Sequence, residues 1–141
     1  MTPSDVIRHY YDACTRGEEE TARWMHDDCI VDEPTFLPYG RIDVIGVRAM
    51  FRHVGGVFFR LFAPDAHLED TRYFEDGDAV VAVSRWVMTG LHTGRTIDGH
   101  YHEYFEVRDG RVALMRPLYH AAGEMIAEMD AARAAGVDLT P

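Results

Sequence analysis

The sequence predicts an α+β fold, with about three N-terminal helices packed on one face of a curved antiparallel sheet and a helix or lid at the C-terminus. Three observations predict it. Through the first 62 residues the apolar side chains recur at helical spacing, first at Val6, Ile7, Tyr10, Tyr11 and Cys14, and again from Met50 to Phe62. After Pro64 the pattern becomes four strand-like runs separated by Asp-Gly turns and a glycine-bounded loop, which is how an antiparallel meander reads. The tail then returns to helical character around Met125, Ile126 and Met129.

Each element has its own local reason. Ser4 offers an N-cap for helix one and Gly17 a stop beyond its end. Glu18 to Glu20 place negative charge in the first turn of a short second helix, which carries Ala22, Trp24 and Met25 and ends near His26 to Asp28. A strand over Cys29–Glu33 stops at Pro34, and Pro34 to Gly46 reads as an ordered loop able to cover a cavity mouth. A third helix spans Val47 to Phe62, kinked or broken at Gly55 and Gly56. The strands follow at Ala66–Phe74, Ala79–Thr89, Arg95–Val107 and Arg111–Tyr119, and a terminal helix at Ala121–Ala135 stops at Gly136.

The 141 residues suit one domain over 1–141, large enough for a core without disulfides or structural metal, so Cys14 and Cys29 need no special role. Fourteen basic residues against 24 acidic ones give a net charge of −10 with no basic stripe, which argues against a nucleic-acid partner. All the basic residues are Arg, and the chain contains no Lys, Asn or Gln. That excludes a lysine Schiff base, a P-loop and a side-chain amide in an oxyanion hole. No window approaches a membrane span, and Met1–Tyr11 is polar, so a cytoplasmic protein with no membrane partner is expected.

Strand alternation selects candidate residues. If Phe105 and Val107 face inward, Tyr101 and Glu103 do too, while His100, His102, Tyr104 and Glu106 face outward. A carboxyl among aromatic and Met side chains has its charged form disfavoured and can work as a neutral donor or as a base near neutral pH. Asp32 and Glu33 must split between two faces. Of Arg85 and Trp86, Trp86 belongs inside, because a buried guanidinium without a partner is costly. Phe36, Phe58, Met88, Met115 and Tyr119 are either core or the wall of an apolar pocket, and His53 and His120 fall where they could edge it. His100 and His102 with His92 have the residue types of a metal site, but paired outward histidines more often cover a subunit interface, and no metal is expected. A reversed strand would instead turn His102 inward as the base.

The order of elements, with a Tyr before Gly17, Val31-Asp32-Glu33-Pro34, Leu37-Pro38-Tyr39-Gly40, Thr89 to Gly94 and Tyr104 to Val112, resembles the superfamily of ketosteroid isomerase, scytalone dehydratase, the SnoaL polyketide cyclases and nuclear transport factor two. The resemblance covers nearly the whole chain and implies a cone-shaped fold enclosing one deep pocket. It implies a base at Glu33, just before a proline on the first strand, and oxyanion donors at Tyr10 and Glu103. Glu at both acid positions departs from the isomerase. Similarity to limonene epoxide hydrolase at Arg85 and Arg116 fails where its carboxylates should stand, at Val87 and Pro117.

The expectation is a cofactor-independent enzyme of secondary metabolism that isomerises, cyclises or dehydrates an apolar cyclic or polyketide-like substrate through an enolate. Glu33, Glu103, Tyr10 and His102 are its catalytic candidates, and Trp86, Tyr101, Phe58, Met88, Met115, Tyr119 and Phe36 line its pocket. The rivals are a non-catalytic binder of hydrophobic ligands and a scaffold without a sizeable pocket. A homodimer through the outer sheet face suits all three.

Overall fold

The computed structural model describes residues 1–40 and 43–141; Arg41 and Ile42, in the predicted loop, lie outside them. Helix α1 runs over Pro3–Cys14. Its cap is Thr2 rather than Ser4: the Thr2 hydroxyl accepts from the Asp5 N–H at 3.2 Å and the Asp5 carboxylate accepts from the Thr2 N–H at 2.9 Å, a reciprocal capping box. The Ser4 N–H is then free to reach Glu75 at 2.7 Å, which ties the helix to the sheet.

Helix α2 is one turn, Glu18–Thr21; Ala22 and Trp24, expected to prolong it, form a turn, and Met25 opens strand β1, Met25–Val31. Long-range pairing wins over local propensity here: Met25 pairs with Val112, and the Val112 N–H bonds the Trp24 carbonyl at 2.8 Å. The two-residue strand β2, Val44–Ile45, pairs antiparallel with the far end of β1. Gly46 then turns the chain with φ +79°, and a Cβ there would stand 2.6 Å from the Asp27 carbonyl oxygen.

The third helical region is continuous across the glycines, where a kink or break is expected. It consists of α3 (Gly46–Ala49), a π-helical stretch (Met50–Gly55) and α4 (Gly56–Leu61). The wide turn absorbs one extra residue, so apolar side chains on both sides of the glycine pair still meet the sheet.

Strands β3 (His67–Asp76), β4 (Ala79–Thr89), β5 (Thr96–Arg108) and β6 (Arg111–Tyr119) form the expected meander. The six-stranded sheet has the order β2-β1-β6-β5-β4-β3, with β1 and β6 parallel. Register shifts between Glu69 and Arg72 and between Glu106 and Val107 bend it, and the unclosed sheet curves around the helices. Helix α5, Ala122–Ala134, packs its Met125 and Met129 into a second apolar cluster with Leu61, Phe62, Met88 and Tyr119. The main cluster, centred on Phe105, joins α1 to the sheet. Among the described residues, no helix is long and apolar enough to cross a membrane.

Candidate functional site

Between α1, the π-helical stretch with α4, and the concave face of the sheet lies an apolar cavity of about 270 Å³. Its walls include Tyr11, Phe58, Trp86, Tyr101 and Tyr119, and Phe59, 63% exposed, stands among its lining residues. Phe58 stacks on Trp86 at 5.4 Å and 15°, and Trp86 meets Tyr101 and Tyr119 at 4.5 and 5.1 Å. Alternation thus sends Trp86 inward, while Arg85 lies outside between Asp98 and Glu69.

Glu33 and Glu103 both line this cavity and are 6% and 1% exposed. Asp32, the other member of the split pair, is exposed and bonded to Arg116 at 2.8 Å. Val31 pairs with Met115, so Glu33 arrives near the level of Pro117, which is itself opposite Glu103. The two backbones are therefore separated by two strand spacings, about 10 Å.

The hydrogen bonds distinguish the two acids. Tyr11 donates its hydroxyl proton to Glu103 Oε2 at 2.7 Å, whereas Glu103 Oε1 is buried without a partner. Burial lifts the Glu103 carboxyl from its ordinary 4.5 to about 7, against the opposing hydroxyls of Tyr11 and Tyr101. Glu33 receives only the longer contacts of the Tyr119 hydroxyl, at 3.2 and 3.5 Å. Burial first, and then the Glu103 charge, push its carboxyl well above the ordinary range. Burial also raises Tyr11, Tyr39, Tyr101 and Tyr119, so these phenols stay protonated donors. Cys14 borders the cavity, but burial holds its thiol at about 11, too high for a ready thiolate nucleophile.

Several expected positions lie elsewhere. Tyr10 lines the cavity, but its hydroxyl sits on the sulfurs of Met50 and Met115, at 3.2 and 3.3 Å, and does not bond Glu103. One residue along a helix turns a side chain by about 100°, and that rotation hands the contact to Tyr11. Tyr10 and Tyr11 both share a helix face with Ile7 and Cys14, at i+3 and i+4 from Ile7, so spacing alone does not choose between them. Met115 is in the lining as expected; Met88 is not, because two residues beyond Trp86 the strand is covered by α5 and Met125. Phe36 stands behind the wall, edge-on to Tyr119 at 6.4 Å.

His102 faces the outer side of the sheet, where its ring lies 4.6 Å from that of His120, with His100 6.1 Å from the same ring. Partial burial and these neighbouring imidazoles lower its pKa. The His92 ring is engaged by the Arg60 carbonyl at 2.9 Å, and among the described residues no three His, Cys, Asp or Glu are placed to hold a metal ion. His53 is absent from the cavity lining, and its Nδ1 is buried without a partner.

The sequence profile of the SnoaL-like domain matches residues 7–115, which takes in α1 from Ile7 onward, the cavity helices and both glutamates. The chain belongs to the SnoaL-like family. Solved structures agree on the NTF2-like fold. An NTF2-like protein of unknown function from Burkholderia pseudomallei K96243 superposes with TM-score 0.73 at 17% identity, over 87% of this chain and 94% of its own. TerC, co-crystallised with polyporic acid, gives 0.71 at 22%, over 89% and 98%. IdmH of Streptomyces antibioticus, named a candidate polyketide cyclase, gives 0.68 at 23%, over 92% and 99%. No curated protein matches this SnoaL-like chain in sequence.

Proposed function

We propose that this SnoaL-like protein is a cofactor-independent enzyme that moves protons on an apolar, polyketide-like compound. The observation that carries the reading is Glu103: a fully buried carboxyl with one oxygen fixed by Tyr11 and the other unpartnered in an apolar cavity. Such a group is costly unless something uses it. The resemblance gave Glu33 the role of base, but the hydrogen bonds favour the opposite division. The 2.7 Å donor on Glu103 stabilises its carboxylate more than the weaker contacts of Tyr119 stabilise that of Glu33, so Glu103 ionises first.

Glu103 Oε1 then takes a proton from carbon beside a carbonyl. The C–H electron pair moves into the carbonyl oxygen, and neutral Glu33, backed by Tyr119, donates a hydrogen bond to the enolate. Returning the proton to another carbon isomerises the substrate, giving it to a departing hydroxyl dehydrates it, and attack of the enolate on a second carbonyl cyclises it. The names of TerC's ligand and of IdmH support an organic ligand of this kind. A cavity of this size speaks against a pure scaffold.

Solvent deuterium uptake by 2-tetralone, an uncharged cyclic ketone, followed by mass spectrometry, tests the proposal. The native protein should catalyse exchange, and E103Q should lose at least about a hundredfold. Unchanged exchange in the E33Q/E103Q double variant sinks it; binding without exchange in the native protein indicates a carrier instead. The expected homodimer would cover the exposed Ile30, Phe74 and Leu118 of the outer sheet face, which light scattering on the purified chain tests.

A further inference from the structure

The polar groups lining the cavity carry charge of one sign only. They are two carboxyls, four phenols, one thiol and the indole of Trp86, and among the described residues no Arg or His side chain joins them. The chain has no lysine to add. An anion entering this space gives up its hydration, meets no countercharge among the described residues, and above about pH 7 finds the Glu103 charge already there.

Shape narrows the ligand further. The volume corresponds to about nine waters at roughly 30 Å³ each, and the aromatic side chains of Tyr11, Phe58, Trp86, Tyr101 and Tyr119 in its walls suit a ring system. The two carboxyls enter the cavity from backbones two strand spacings apart, which suits partners at opposite ends of a ring system. Glu103 Oε1 has no partner among the described residues, and the Tyr119 hydroxyl leaves Glu33 with capacity for a further bond.

We infer that the cavity takes uncharged two-ring compounds bearing an oxygen function at each end, one bonded to Glu103 and the other to Glu33, and that it turns away carboxylated analogues of the same shape. The inference names the substrate class of the site proposed above and rests on that reading for its use.

Calorimetric titration of the full chain with an isosteric pair tests it at about pH 7.5, where both the probe carboxylate and Glu103 are ionised and the naphthol hydroxyls are not. The probes are 6-hydroxy-2-acetylnaphthalene and 6-hydroxy-2-naphthoate, in which a methyl group replaces a charged oxygen. The ketone should bind at least about tenfold more tightly. Removing its hydroxyl, in 2-acetylnaphthalene, should weaken binding by about two- to tenfold, the loss of one hydrogen bond. Equal or tighter binding of the naphthoate, or no binding of the hydroxyketone, overturns the inference. Calorimetry needs no turnover, so the two readings fail separately. Preserved discrimination without deuterium exchange defeats only the catalytic proposal, and exchange with a preference for the naphthoate defeats only this one.

Discussion

Replacing Glu103 by Gln should make the protein more stable at alkaline pH, although Glu103 is among its most buried side chains. The folded state holds the Glu103 proton up to about pH 7, while an unfolded chain releases it near 4.5. Between those values the folded state binds more protons, so stability falls as pH rises; the contribution is fully present below 4.5 and lost above about 7. At ~1.36 kcal/mol per pH unit this interval amounts to about 3 kcal/mol, or roughly 6–12 °C in Tm for a chain of this length. Gln keeps the shape and a partner for Tyr11 but cannot ionise. Urea unfolding of the native protein and E103Q, at intervals from about pH 4.5 to 8, should show two curves that separate steadily toward high pH. E103Q keeps a shallower slope from Glu33, whose raised pKa works in the same direction. Curves that run parallel to within about 0.5 kcal/mol would refute the assignment of Glu103 as a desolvated acid.

Tyr11→Phe removes the 2.7 Å donor to Glu103 and should raise its titration midpoint by about one to two pH units, read by carboxyl carbon NMR, whereas Tyr10→Phe should leave it unmoved. Gly90→Ala would set a Cβ 2.2 Å from Glu128 Oε2 and dislodge the carboxylate that accepts the His92 and Thr93 N–H groups. Denaturant melts should register a loss of about 2–3 kcal/mol. Phe105→Ala empties the centre of the cluster where Tyr10 and Tyr11 meet its ring edge-on, and should cost about 3–5 kcal/mol by the same measurement.

Much of this was legible from residue order. Alternation along β4 and β5 correctly separated Trp86 from Arg85 and Glu103 from His102, because a strand side chain has only two choices and one apolar neighbour decides for all. The split of Asp32 and Glu33 was legible for the same reason, and the resemblance named the inner one. The helices concealed more. A turn offers a rotation of about 100° per residue, so the choice between Tyr10 and Tyr11 depended on where α1 sits against β5, which spacing within the helix does not contain. Met25 looked helical locally because its strand partner, Val112, is remote in sequence. The glycine pair suggested a break only because the one-residue excess of a π turn leaves no composition signal of its own.

That excess residue between Met50 and Gly55 also makes the pocket unequally sensitive to changes in chain length. Were one residue of this stretch deleted, the turn would relax to ordinary α-helix, and the side chains after it would keep their faces, Phe58 against Trp86 included. A residue gained between Gly56 and Phe58 has no second wide turn to absorb it, and everything after it would swing by about 100° about the axis, with β1, β6 and both glutamates untouched. A single codon gained there re-cuts the binding surface as a whole, a larger step in ligand choice than any one substitution in the wall, while the acid pair is inherited unchanged.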